Sequence, residues 1–477
     1  MARKLHKTRP QAGEKTHVQG ASSARLARRF IFTLIWLVVW HLASVSIGTS
    51  LLLPGPIEVA RRLVELVVTQ AFWTVVLFSL TRICAGFLLA FVLGLTLGLL
   101  AGHLRVVRDF LEPAILALKS VPIVCVVVLL LIWVGAREVS VVAVFLAVFP
   151  PIYLSVCEAI RAQDTRLNAL LKAMDVSAWR RFLASTYQQL LPYLRATSRN
   201  ACGIAWKAGV AAELIGSPRG SMGERIYQAK LILETPDLFA WTIAVVSMSW
   251  LCEKIFLALL NQTGPLTLKL AVPRPHAAQT APSAGALSLG HVTLGHAGGA
   301  IIARDLNWHF DAGQRYALTD PSGAGKTTLV ETLSGMLAPL AGELTITPVT
   351  PLSVVTQDIR LVEQMSAEEN VLLSAEGSMD FAQVHELLLQ VLPPDALGRP
   401  VAGLSGGQRR RVEIVRALAH PHGILLMDEP LSALDEKSRQ KTAHFIVEML
   451  GTNTLIVASH NPEDLTLLQI DHTISLK

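Results

Sequence analysis

The sequence predicts a membrane α-helical bundle of about six spans followed by an α/β domain built on a phosphate-binding loop. Three observations predict it. Of the 477 residues, 52% are hydrophobic and only 16% charged, and the apolar excess lies in the first half, in runs near the ~20 residues that a bilayer requires. The second half alternates short β-like runs with helical patterns, as α/β domains do. Within it, Arg315 to Val330 reads RYALTDPSGAGKTTLV: an apolar run, a small-residue loop, then helix formers.

A chain this long holds two or three domains. The composition divides it into a basic cytoplasmic tail at 1–29, a transmembrane domain at 30–261, a linker at 262–285 and the α/β domain at 286–477. The tail carries Arg3, Lys4, Lys7, Arg9, Lys15, Arg25, Arg28 and Arg29 against one acid, Glu14. It reads as a solvated arm before a retained, anchor-like first helix. The net charge is +6, with the cations gathered in this arm and in short loops. That distribution points to membrane topology and lipid contact, not to nucleic acid. The cysteines, Cys84, Cys125, Cys157, Cys202 and Cys252, all fall in apolar segments without metal-ligand spacing. They read as small buried hydrophobes.

Six spans are expected, at 30–48, 73–101, 109–134, 139–160, 191–215 and 238–261. With the N-terminus inside, the loop with Arg105 and Arg108 is cytoplasmic, and so is the longer one with Arg161, Arg166, Lys172, Arg180 and Arg181, as the positive-inside rule asks. Arg61, Arg62, Arg219, Arg225 and Lys230 dissent. Pro122, the pair Pro150-Pro151 and frequent glycines are expected to break helices, and broken helices in membranes line cavities or pack on others. Arg82, Lys207 and Glu213 lie within or near apolar spans, where an unpaired charge costs about 2.5–3.5 kcal/mol on insertion scales. Each reads either as part of a polar pathway, in which Lys207 faces an anion, or as a structural ion pair. The cytoplasmic stretch from Asp164 to Leu191 repeats Leu167, Leu170, Leu171 and Met174 at helical spacing. It reads as a short amphipathic helix lying on the membrane surface or docked into a soluble partner.

The linker is rich in Pro, Ala, Thr and Gly and has no periodicity. Beyond it, 291–303 and 305–310 read as strands, 345–355 as a strand or two, and 367–373 and 381–392 as helices. In the phosphate loop of Pro321, Ser322, Gly323, Ala324 and Gly325, the backbone N–H groups after the proline and the start of the next helix suit phosphate oxygens. Lys326 would reach the β- and γ-phosphates, Thr327 would ligate Mg²⁺, and Thr328 follows. Asp320 stands where the strict pattern has glycine; a carboxylate facing a triphosphate would repel it, while one pointing away would be tolerated, since Asp accepts unusual turn conformations better than most residues. Further on, Leu404-Ser405-Gly406-Gly407-Gln408 precedes a very basic helix. An apolar run ends in Asp428-Glu429, the form of a buried parallel strand that delivers carboxylates to a sheet edge. There Asp428 suits Mg²⁺, and Glu429 suits polarising an attacking water. Another strand ends at Ser459-His460.

In this order and spacing, the second half resembles the ATPase domain of ABC transporters. The resemblance puts Lys326 in the Walker A loop, Gln357 at the Q-loop, Leu404 to Gln408 in the signature, Asp428 and Glu429 at Walker B, Ser432 to Asp435 in the D-loop, and His460 at the switch histidine. The first half, on Trp206 to Lys230 (WKAGVAAELIGSPRGSMGERIYQAK), resembles the permease of binding-protein-dependent importers of the nitrate, taurine and alkanesulfonate group, with the amphipathic cytoplasmic helix as its coupling helix. The chain thus resembles a fused permease and ATPase of the cytoplasmic membrane.

The resemblance implies ATP and Mg²⁺ as cofactors. It implies Glu429, His460 and Gln357 as catalytic residues, and Thr327, Asp428 and Gln357 at the metal. Ser405, Gly406, Gly407 and Gln408 would contact the ATP of a second copy, so a homodimer is implied, served by an extracytoplasmic binding protein. Three departures stand out: Asp320; the lack of an early adenine-stacking aromatic, for which His296 would stand in; and Gln188-Gln189 where the coupling loop has Leu-Pro. Three functions follow: import of a small anion, import of a pyrimidine vitamin precursor, or a nucleotide-sensing regulator whose ATPase Asp320 impairs.

Overall fold

The computed structural model of the protein describes residues 14–275, 282–296, 298–321 and 323–476. The helices of the first half are α1 (Glu14–Ile47), α2 (Pro56–Val67), α3 (Gln70–His103), α4 (Arg105–Ser120), α5 (Ile123–Arg161), α6 (Thr165–Ala173), α7 (Ala178–Arg181), α8 (Tyr187–Gly216), α9 (Met222–Leu231) and α10 (Thr235–Ala271). The chain forms two compact units. One runs to Glu158 and resumes over Leu194–Ala258; the other takes Ala159–Tyr193 and everything from Leu259 onward.

In the first unit, α1 begins at Glu14, so helix enters the stretch read as a solvated arm; residues 1–13 of that arm lie outside the described residues. Among the described residues four helices are long and apolar enough to cross a membrane: Phe30–Ile47, Gln70–His103, Ile123–Arg161 and Thr235–Ala271. The expected spans 109–134 and 139–160 are partitioned differently. Pro122 separates the amphipathic α4, of 16 residues, from α5, since the residue before a proline is pushed out of helical geometry. Helix α5 breaks at Gly135, where φ is 75° and ψ 170°. Pro150 and Pro151, expected as breaks, lie inside it. Helix α8 has the length to cross at 30 residues, yet carries Arg195, Arg199, Lys207 and Glu213 and falls short of the apolarity of those four.

The glycines of α3 are contact points, not breaks. A Cβ on Gly94 would lie 2.8 Å from Ile152 Cγ2, and one on Gly98 would lie 2.7 Å from Val156 Cβ. Small residues let α3 approach α5 closely, as membrane helices do where no hydrophobic force draws them together. The ionisable groups divide between the two readings. The Arg82 guanidinium donates to Arg137 O at 2.8 Å and lies 3.5 Å from Glu138, a structural pair. Glu213 is fully buried and accepts from Ser79 Oγ at 2.7 Å and Gly223 N at 3.3 Å, tying α8 to α3 and to the start of α9. Lys207 instead lines a cavity, described below.

In the second unit, α10 continues to Ala271, so the first part of the expected linker is helix; 276–281 lie outside the described residues. The α/β portion comprises β1 (Ala286–Gly295), β2 (Ile301–Phe310), β3 (Arg315–Leu318), α11 (Lys326–Leu333), β4 (Ala341–Thr347), β5 (Leu352–Val355), α12 (Ala367–Ser374), α13 (Phe381–Val391), α14 (Gly406–Ala419), β6 (Ile424–Asp428), α15 (Glu436–Leu450), β7 (Thr454–Ala458), α16 (Pro462–Leu467) and β8 (His472–Ile474). Strands β2-β1-β4 form an antiparallel sheet, and β5-β6-β7-β3-β8 a parallel one. The first two strands are an antiparallel pair that meets at a turn near Gly298, so their bounds fall earlier than the continuous run 291–303 suggests. Strands β6 and β7 are buried along their whole length, which is why their sequences are unbroken apolar runs and not alternating ones.

The stretch 164–191 packs on this portion. It is divided into α6, α7 and a π-helical turn over Phe182–Thr186. Asp164 caps α6 through Arg166 N. Leu170 and Met174 are fully buried in one cluster with Leu287, Phe310 and Val354. Leu171 is buried with Val362, Met365 and Leu373. Of the two sites expected for its apolar face, the soluble one is occupied. Gln188 and Gln189 build a polar joint there. The Gln188 amide donates to Thr267 Oγ1 at 2.9 Å, and Gln189 Oε1 accepts from Asp164 N at 2.8 Å.

Candidate active site

Strand β3 delivers the chain into the phosphate loop, and α11 leaves it at Lys326. The loop turns through left-handed backbone at Gly323 (φ 83°) and Gly325 (φ 101°). A side chain at Gly325 would also collide with Ile302, 2.3 Å from Cγ2. Glycine is therefore required there twice over. Within the loop, Ala324 N donates to Pro321 O at 3.3 Å. The buried Lys326 ammonium donates to Asp320 O and, at 3.0 Å, to Pro321 O. Ser322 lies outside the described residues. Thr328 is buried in α11, and its carbonyl accepts from Thr332 Oγ1 at 2.8 Å.

The expected repulsion by Asp320 does not arise. Its carboxylate points away from the loop and is buried, accepting from Ser475 Oγ at 2.7 Å and Leu476 N at 2.8 Å. The residue that replaces glycine is a clasp on the chain beyond β8.

Asp428 and Glu429 stand at the end of β6, and His460 just beyond the end of β7. The two strands are parallel neighbours with Asp428 opposite Ala458, so one sheet edge receives all three residues. Glu429 has φ of 45° and donates its N–H to Ala458 O at 2.9 Å. A non-glycine residue held in left-handed backbone marks local strain of the kind found at functional sites. Its Oε1 lies 3.2 Å from His460 Nδ1, and Ser432 Oγ donates to its carbonyl at 3.0 Å. Asp428 is 2% exposed. Burial raises its pKa, opposed by a hydrogen bond with Thr327. Its Oδ2 has no hydrogen-bond partner. Thr327 Oγ1 also donates to Gln357 Oε1 at 3.2 Å. Thr327, Gln357 and Asp428 thus line one cavity of about 240 Å³, shared with Arg166, His296 and Arg360. Three hard oxygen donors, one of them buried and unsatisfied, suit a small divalent cation such as Mg²⁺. Among the described residues, no group of three His, Cys, Asp or Glu side chains forms a competing metal site.

Ser405 caps α14 in a reciprocal box: Gln408 N donates to Ser405 Oγ at 3.3 Å, and Ser405 N to Gln408 Oε1 at 2.9 Å. Ser405 and Gly406 are exposed. None of Ser405, Gly406, Gly407 and Gln408 lines the cavity of Thr327 and Asp428. Sequence reasoning missed two groups. Arg166, read as a topology charge, lies 3.5 Å from Asp358 at this cavity. Arg410, read only as one cation of the very basic helix, is buried and paired at 2.8 Å with Glu413. Glu413 at three residues from Arg410 was the available signal.

A glycine loop, a lysine, a threonine and two carboxylates gathered at one edge of a parallel sheet define a P-loop ATPase. Residues 303–432 match the family model described as ABC transporter. Residues 94–265 match that of the binding-protein-dependent transport system inner membrane component. The thiamine import ATP-binding protein of Yersinia pseudotuberculosis is 34% identical over 172 residues, covering 33% of this chain and 73% of that protein. The aliphatic sulfonates import ATP-binding protein of Escherichia coli (strain K12) is 35% identical over 182 residues, covering 37% of this chain and 67% of that protein. Among solved structures, a dimeric post-hydrolysis ATP-binding cassette bound to ADP and Pi shares 25% identity with a TM-score of 0.37, covering 40% of this chain and 94% of that one. A dimeric bacterial ABC transporter cassette shares 25% with a TM-score of 0.35, covering 38% and 90%. The chain belongs to the ABC transporter family, with its permease and its ATPase joined in one polypeptide. It is an ATPase whose hydrolysis drives transport of the importer type, in a multi-pass inner-membrane protein.

Proposed function

We propose that the chain works as a homodimer that imports a small organic or inorganic anion, handed over by a separate extracytoplasmic binding protein. The observation that carries the cargo class is a cavity of about 860 Å³ in the membrane unit, whose lining is apolar except for Lys119 and Lys207. No carboxylate is among its lining residues. Two ammonium groups against an apolar wall favour an anion and disfavour a cation such as thiamine itself. One chain carries a single phosphate loop and a single signature, and the exposed signature helix end suits the γ-phosphate of ATP held by a second copy. Basic loops at Arg105, Arg108 and Arg161 to Arg181 support placing the ATPase and the N-terminus in the cytoplasm.

In this reading Pro321 to Thr328 cradle the phosphates, and Lys326 exchanges its loop carbonyls for the β- and γ-phosphates. Thr327, Asp428 and Gln357 would hold Mg²⁺, which supplies charge neutralisation at the phosphate oxygens. Glu429 takes the proton of the attacking water. His460, within hydrogen-bond distance of Glu429, orients that carboxylate and contacts the γ-phosphate. Gln357 links the nucleotide to α6 through its neighbour Asp358 and Arg166.

The test is uptake by the chain reconstituted with its binding protein, using labelled ethanesulfonate, nitrate and a pyrimidine precursor. Saturable anion uptake that Lys207→Gln reduces supports the reading. Uptake of the pyrimidine alone, or anion uptake indifferent to Lys119→Gln and Lys207→Gln together, overturns it.

A further inference from the structure

We propose that Arg410 and Glu413 are positioning residues for ATP turnover, holding the backbone that carries Gln357 against the helix that begins at the signature. This rests on the reading of Gln357 as a group at the nucleotide's metal. Helix α14 starts at Ser405 and Gly406 and sends three charged side chains into the protein interior: Arg410 at 3% exposure, Glu413 at 0% and Arg416 at 1%. A buried charge is costly unless paired and hydrogen-bonded, and all three spend their bonding on one short segment, 356–360. Arg410 donates to Thr356 O at 2.5 Å and to Gln357 O. Its partner Glu413, at 2.8 Å, accepts through its other oxygen from Thr356 Oγ1 and from Arg360 N, both at 3.2 Å. Arg416 donates to Arg360 O and lies 3.5 Å from Glu413.

The backbone of Gln357 is therefore held on both sides, at residues 356 and 360, and on its own carbonyl. Its side-chain amide is left to project toward Thr327 Oγ1 at 3.2 Å. A burial need alone is met by any apolar side chain; replacing a buried ionic triad by packed hydrophobes is often neutral or stabilising. What an apolar replacement cannot do is fix the carbonyls of 356, 357 and 360 in direction. The guanidinium fork of Arg410 does so for two successive carbonyls at once, which a lysine cannot. The fork is geometry invested in where Gln357 points.

The experiment uses the full chain in lipid nanodiscs and measures ATP turnover against ATP and Mg²⁺ for Arg410→Lys, Thr356→Val, Gln357→Ala and the double variants with Gln357→Ala. Arg410→Lys is expected to lower kcat about ten- to a hundredfold, the range seen when groups supporting a metal's ligands are removed. KM for ATP should stay nearly unchanged, because the phosphate loop is untouched. Thr356→Val keeps the shape of the side chain but removes a hydroxyl placed between Asp358 O at 2.7 Å and Glu413 Oε1 at 3.2 Å, and should show the same split to a smaller degree. If Arg410 and Thr356 act through Gln357, each double variant turns over no more slowly than Gln357→Ala alone. Losses that multiply, or a single variant that lowers only the melting temperature at native kcat, overturn the proposal. If Gln357→Ala itself turns over at the native rate, the reading of Gln357 fails and the proposal falls with it, an outcome distinct from multiplying losses.

Discussion

Replacing Asp320 by glycine tests whether the departure from the usual phosphate loop is a defect or a clasp. If the carboxylate faced the triphosphate, the substitution would raise turnover. In the structure it faces Ser475 and Leu476 instead, with two hydrogen bonds of 2.7 and 2.8 Å. Hydrogen bonds to a charged group contribute about 1.5–3 kcal/mol each. The Ser475 and Leu476 donors are not deeply buried, so water replaces part of the loss, and about 2 kcal/mol in total is expected. For a domain of roughly 200 residues that lowers the melting temperature by about 4–8 °C. Asp320→Asn, which keeps an acceptor, should lose roughly half as much. The assay pairs thermal unfolding of the ATPase portion with ATP hydrolysis in lipid. The expected result is a lower melting temperature with kcat equal to or below that of the parent. A rise in kcat of severalfold at unchanged melting temperature would refute the reasoning and revive the view of Asp320 as a brake.

Three further outcomes are expected. Glu429→Gln should reduce hydrolysis about 10²–10⁴-fold, the usual worth of a positioned general base, while ATP still binds in equilibrium dialysis; loss of binding together with turnover would point to a structural role. Buried His422 is pushed down to about 4, and burial lowers the pKa of His420 as well. Folded His422 stays neutral down to about pH 4 and protonates on unfolding near its ordinary value of about 6.5, so the unfolded state binds more protons between pH 6.5 and 4, and His420 adds in the same direction. Stability is then full above pH 6.5 and falls as pH drops toward 4, by about 3 kcal/mol for His422; His422→Gln should flatten the slope of melting temperature against pH in that window. Finally, Gly98→Val should push α3 off α5 in the membrane unit, since even a Cβ would sit 2.7 Å from Val156 Cβ, and should lower detergent-solubilised yield and thermal stability where Gly98→Ala does so less.

Some of this protein was determined by local sequence alone. Chain order places the loop 321–325, the carboxylates 428–429 and His460 at ends of strands because a fully buried parallel strand is an apolar run with an abrupt polar end, and β6 and β7 are such runs. The two-part architecture was legible for the same reason: membrane helices and α/β domains differ in composition over long windows. Tertiary structure decided what depends on the direction of a side chain. Whether Asp320 faced the phosphates or the chain beyond β8, and whether the apolar face of α6 met lipid or Val362 and Met365, could not be read from spacing, because both choices satisfy the same local pattern. The glycines of α3 looked like breaks until α5 lay against them, and the broken residue of α5 was Gly135, not Pro150 or Pro151. Arg410 was legible only as one cation of a very basic helix, because burial of a pair is made by distant segments closing over it, and residues 356–360 lie far from α14 in sequence.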